Sequence, residues 1–175
     1  MITKSHEIEE RAGERIADLM CVAARTAPKA RGVDNLVVMI VKAREKDQLA
    51  EEMRKIAKES GAQFFERDAA CLDKAIAVII LGQNVKPLGV APCGYCGHGN
   101  CANCAQKDGL CAISIGDLGI AIGSAVSIAA LHHIDNRVMF SAGKAALNLG
   151  LFPDDVKIAY GIPLSISGKS PFFDR

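Results

Sequence analysis

Asn35-Leu36-Val37-Val38-Met39-Ile40-Val41 is a short run of continuous apolar character, rich in β-branched side chains. Alternating patterning would leave one face to water, whereas an unbroken run this short predicts a strand covered on both faces. Upstream, residues 4–27 carry Ile8, Ala12, Ile16, Leu19 and Ala23 at spacings of three and four, the stripe of an amphipathic helix. Pro28 then stops it. Downstream, residues 45–60 read as a second helix with a charged outer side, ended by Gly61. Farther out, the pattern predicts short strands at 62–65 and 137–140, firmer strands at 76–81 and 156–161, and helices at 116–134 and 142–149. No internal repeat appears. The expected fold is therefore α+β, with an α/β-type mixed sheet flanked by helices. Residues 1–175 are expected to form a single domain, interrupted by an inserted cysteine-rich loop at 91–112.

The bulk composition narrows the function. A chain of 175 residues, half of them hydrophobic, is long enough to bury one core. A formal net charge of +1 offers no basic excess for a nucleic-acid backbone. With no Trp and two Tyr, a base-stacking platform is not expected either. The first residues show no cationic segment followed by an apolar stretch, so no secretory signal is read. Seven cysteines is an odd number and five of them cluster, which fits reduced thiols in a cytoplasmic protein better than a disulfide scaffold. Residues 118–131 carry no charge, but fourteen residues are too few to cross a bilayer. Neither a nucleic-acid nor a membrane role is expected.

The cluster is Cys93-Gly-Tyr-Cys96-Gly-His-Gly-Asn-Cys101-Ala-Asn-Cys104, followed by Cys111. A Cys-x2-Cys pair lets one tight turn aim two sulfurs at a common centre. Gly94, Gly97 and Gly99 supply the unusual backbone angles of such a wrap. Softness and spacing point to an iron–sulfur cluster or zinc. The Cys-Gly-x-Cys-Gly-x3-Cys pattern with a distal cysteine resembles the iron–sulfur segment of ferredoxin-like electron-transfer subunits, which implies Cys93, Cys96, Cys101 and Cys111 as ligands of one [4Fe–4S] cluster. Cys104 makes a second Cys-x2-Cys with Cys101, so Cys93, Cys96, Cys101 and Cys104 form a competing set. Zinc ribbons place a longer excursion between their pairs. His98 reads as a polar loop residue, and Cys21 and Cys71 read as small core residues. His132 and His133 sit where protonated imidazoles complement a helix C-terminus.

Beyond the cysteines, four segments carry a resemblance: Ala-Arg25-Thr-Ala-Pro28-Lys29-Ala-Arg31-Gly-Val-Asp34-Asn35; Asp117-Leu-Gly-Ile-Ala-Ile-Gly123-Ser124; Asp135-Asn-Arg137-Val-Met-Phe140; and Gly161-Ile-Pro163 through Lys169 to Arg175. With the cysteine loop, they resemble a family of uncharacterised ferredoxin-domain-containing proteins. A more distant similarity is to flavin-dependent nitroreductases, carried by Ala27-Pro28-Lys29 before the apolar strand and by Gly161-Ile-Pro163 before Lys169. That resemblance implies a homodimer, with FMN at the subunit interface and Arg25, Lys29 and Lys169 as candidate cofactor contacts. The nitroreductase Arg-x-Ser-x-Arg phosphate signature has no counterpart before Arg25, and Lys29 replaces a small hydroxyl residue. Gly119-x3-Gly123 is not a dinucleotide fingerprint; Gly116, Gly119, Gly123 and Ser124 are read as close helix packing.

Three functions compete at this point. The first is a reductase in which an iron–sulfur centre exchanges electrons with a flavin, serving a redox partner or a small-molecule electron acceptor. The second is a flavin-free electron carrier of ferredoxin type. The third is a zinc-stabilised interaction module without catalysis. No side chain stands out as a general acid or base.

Overall fold

The computed structural model describes residues 2–173. The predicted strand is β1 (Leu36–Val41), and the helix before it is α1 (Ser5–Thr26). After β1 come α2 (Ala43–Ser60) and α3 (Gln63–Asp73), then the strand β2 (Ala77–Asn84). The short α4 (Cys101–Gln106) lies within the cysteine loop, and α5 (Ala112–Leu131) follows it. The chain finishes with β3 (Asp135–Asn136), α6 (Phe140–Asn148) and β4 (Val156–Ser165).

The four strands lie in the order β1-β2-β4-β3. Every pairing is antiparallel, so the mixed sheet expected from the sequence is corrected. The connection explains the direction. A single crossover helix would return the chain parallel. Here α2 and α3 pack on each other as a helical pair and bring the chain back to the end where β1 stopped, so Val41 pairs with Val78.

β2 is the central rod of the core. Val78 and Ile80 face a cluster built with α2, α3 and α6, including Leu49, Met53, Leu72 and Ala145. Ile79 and Leu81 face a second cluster with α1 and α5, including Met20, Leu118 and Ala125. The alternation follows the two-residue period of a strand. On the first face, α6 presses so tightly on β4 that a Cβ at Gly143 would lie 1.9 Å from the Ala159 carbonyl oxygen.

Three other expectations change. Residues 62–65 belong mostly to α3, because Phe65, Asp68, Ala69 and Leu72 recur at helical spacing on its buried side; the Phe64-Phe65 pair alone imitates a strand. At 137–140 only an isolated bridge from Met139 to Gly161 remains, and Phe140 already starts α6. β4 continues past Gly161 through Pro163. The Gly161 N–H donates to Met139, and two residues on the missing N–H of Pro163 falls on that same edge, beyond the reach of the two-residue β3.

α5 is longer than its uncharged stretch. By length and composition alone its twenty residues could cross a bilayer. Instead it packs along α1 and against β2, with Leu118, Ala121, Ala125 and Ala129 buried. Gly116, Gly119 and Gly123 lie on its other side, where an added Cβ would meet nothing within 4 Å. Within this chain the close-packing reading of those glycines is therefore corrected.

Candidate functional site

The cysteine loop leaves the end of β2 and re-enters the fold at α5. Its return is fixed by the Cys111 N–H, which donates to the Val85 carbonyl at 2.9 Å, and Cys111 is the N-cap residue of α5. Inside the loop, Gly94, Gly97 and Gly99 all take positive φ (146°, 81° and 78°), as the expected wrap requires. Asn100 caps α4 by accepting the Asn103 N–H at 2.9 Å. One helical turn then sets Cys101 and Cys104, three residues apart, on the same side. The sequence holds the signal for this helix, a capping Asn before the Cys-x2-Cys, but the density of glycines and cysteines hides it.

All five thiols line one pocket: Cys93, Cys96, Cys101, Cys104 and Cys111, closed by Pro87 and Ile113. Cys104 is the innermost, 1% exposed. Loss of water and the bonded Cys96 thiol, with Cys111 and Cys101 nearby, push its pKa up to about 11. The Cys101 thiol reaches the Val90 carbonyl at 3.8 Å. The enclosed space is only about 10 Å³, about what a single water needs. Among the described residues, no three His, Cys, Asp or Glu side chains stand in a metal-holding arrangement. Five thiols in one lining are a donor set whose chemistry suits a thiophilic metal. His98 is not among the residues lining the pocket; its imidazole packs beside Gly109.

A wider, open cleft of about 790 Å³ adjoins the thiol pocket and shares Pro87 with it. Val85 and Leu110 contribute apolar surface, and Lys86, Lys157 and Asp108 contribute charge. Below it, Gln83 donates to Ser114 Oγ at 3.0 Å, which in turn donates to the Asn84 carbonyl at 3.0 Å. Gln83 Oε1 is buried without a partner. Sequence reasoning gave neither residue a role.

The basic candidates are placed differently from one another. Arg25 donates to Asp34 at 2.6 Å and to the Leu36 carbonyl at 2.7 Å. Lys29 donates to the carbonyls of Ala24, Arg25 and Ala27 at the end of α1. Both sit at the Gln83 end of β2, since Leu36 pairs with Gln83. Lys169 lies at the opposite end, beside Lys74, Ser165 and Ser170. Six residues of strand separate the two ends, roughly 20 Å. Cys21 and Cys71 lie on α1 and α3, away from the loop, Cys71 buried and Cys21 half-buried. Burial pushes the Cys21 thiol up to about 11, and the Cys71 thiol is also raised, chiefly by burial. Both thiols are thus harder to ionise than a free cysteine.

Residues 107–175 match a family described as uncharacterised proteins containing a ferredoxin domain; the matched segment includes Cys111 and begins after Cys104. An uncharacterised protein of Archaeoglobus fulgidus is 39% identical over 173 residues, covering 93% of this chain and 92% of its own. Among solved structures, the Lactococcus lactis nitroreductase CinD, in complex with 4-nitrophenol, aligns with a TM-score of 0.63 at 16% identity, covering 92% of this chain and 84% of that one. A Desulfitobacterium hafniense nitroreductase with bound FMN aligns with a TM-score of 0.60 at 17% identity, over 89% of this chain and 79% of that one. At such identities the likeness shows a shared fold.

Proposed function

The chain belongs to the family of uncharacterised proteins containing a ferredoxin domain, and from that premise we propose that it is a cytoplasmic iron–sulfur redox protein with a nitroreductase-like body. The observation that carries this reading is the convergence of five thiols on one pocket. Cys93, Cys96, Cys101 and Cys111 would hold a [4Fe–4S] cluster, with Cys104 as the fifth thiol behind them. Bound there, such a cluster supplies one-electron transfer, and a flavin, where present, couples it to two-electron chemistry. The chain's own part would be to shield the site with Pro87 and Ile113 and to hold the thiols together on the glycine turns. The adjoining cleft would give a small-molecule electron acceptor or redox partner room beside the thiol pocket.

Arg25 and Lys29 do not meet Lys169 within one chain, so a flavin site using all three would have to be completed by a second copy. The outer side of α5 supports a homodimer. This helix has no charge except the buried Asp117, yet it leaves Ile120 and its glycines uncovered beside Leu19 and Val22 of α1. A helix apolar all round is normally buried all round.

A single zinc ion is the second reading, favoured by the small pocket and by Cys101 and Cys104 sharing one helical face. It would be structural, closed by four thiolates. Iron, sulfide, zinc and flavin analysis of protein purified without oxygen separates the two. Brown protein with iron and sulfide supports the cluster; colourless protein with about one zinc per chain replaces it with the second reading. Yellow cofactor released on denaturation supports the flavin.

A further inference from the structure

Arg31 is a non-glycine residue in the left-handed region, at φ 58°. That conformation costs a side-chain-bearing residue about 1–2 kcal/mol, so the turn that holds it must be fixed from both sides. On one side, the N–H of Ala30 donates to both carboxylate oxygens of Asp117 on α5, at 3.1 and 3.2 Å. Asp117 is 5% exposed. On the other side, the Arg31 guanidinium donates to the Leu88 carbonyl at 2.6 Å. It lies so close to the next residue that a Cβ at Gly89 would come within 2.9 Å of Nη1. Gly89 itself has φ 71°. One residue on, the Val90 carbonyl accepts from the Cys101 thiol. Asp117, Ala30, Arg31, Leu88 and Val90 thus make a continuous path from the rigid helix α5 to a cysteine of the pocket.

We infer that Arg31 is a positioning residue for the cysteine site: its guanidinium latches the segment 88–90, whose Val90 carbonyl accepts from the Cys101 thiol. The strained backbone at Arg31 serves to aim that guanidinium. The location of the site is taken from the proposed function, but the latch concerns the chain's own atoms and holds whichever metal the thiols take. The latch thereby sets how readily the segment bonded to Cys101 moves.

The test compares the full-length parent with Arg31→Gly and Arg31→Gln. Glycine adopts φ 58° without strain, so Arg31→Gly removes the guanidinium while easing the backbone, and Tm should hold or rise. In metal-free, reduced protein, alkylation by iodoacetamide is followed at each cysteine by mass spectrometry. Cys71, buried in α3, serves as the internal reference. Loss of one hydrogen bond to a charged donor should speed labelling of Cys101 relative to Cys71 by about tenfold in both variants. In protein reconstituted with iron and sulfide, loss of iron to a chelator should accelerate in parallel. An unchanged Cys101-to-Cys71 ratio would overturn the latch, as would a rise shared equally by all cysteines with a fall in Tm. A parent that takes up no iron would refute the cluster while leaving the labelling ratio to judge the latch.

Discussion

At the scale of single residues, the five thiols differ in their surroundings, and so should their variants. Cys93→Ser and Cys96→Ser should each leave the reconstituted protein without its metal, measured as iron per chain. Cys104→Ser should keep most of it, since four thiols remain around the pocket; loss of all iron in that variant would make Cys104 a ligand. Elsewhere, Asp34 offers a check on the ion pair at the end of α1. Burial alone would raise its carboxyl, but the bonds from Arg25 and the Leu36 N–H outweigh it and hold the group below its ordinary value of 3.8. Its contribution is therefore fully present above that value and is lost as pH falls through the lowered native one. Both side chains are almost half exposed, so the pair contributes about 0.5 kcal/mol. Asp34→Asn should lower Tm slightly near neutral pH, and the difference from the parent should close in strong acid. The ligand-type residues were legible in the sequence because a cysteine's chemistry travels with its letter. The roles of Arg31 and Asp117 were not, because they depend on partners 57 and 87 positions away.

At the scale of elements, periodicity decided what could be read. α1, β1 and α2 follow from stripes and runs that survive almost to the residue. The αL residue Gly61 (φ 73°) closes α2 as its sequence position predicts. α3 was missed at its start, where two adjacent phenylalanines carry strand propensity and tertiary burial of Phe65 and Leu72 overrides it. The antiparallel direction of the sheet was not legible, because it depends on α2 and α3 packing as a pair, and no local pattern states that. The tightest junction in the fold is also silent in the sequence. Gly143 looks like any helical glycine, yet α6 rests there on the backbone of β4. Gly143→Ala would improve helix propensity but drive a methyl group into a carbonyl. It should destabilise the protein by about 3 kcal/mol, seen as a lower denaturation midpoint with an unchanged slope.

At the scale of the whole molecule, the sheet is covered unevenly. One face carries α2, α3 and α6, and the other carries α1 and α5; the outer side of α5 bears no charge. Ile120→Arg should turn a dimeric protein into a monomer by light scattering, with little change in the far-ultraviolet spectrum; a dimer that persists would move the interface elsewhere. The thiol pocket, by contrast, hangs from the end of β2 and the start of α5, and the bond from Cys111 to Val85 ties the two stems together. The peptide between them departs from the scaffold and comes home to its own point of exit. If the thiols hold a metal, stripping it should disorder that detour alone and spare the body beneath it. Were the cage to take iron and sulfide, synthesis and folding could be completed first, and loading would be a separate, later event that could be repeated.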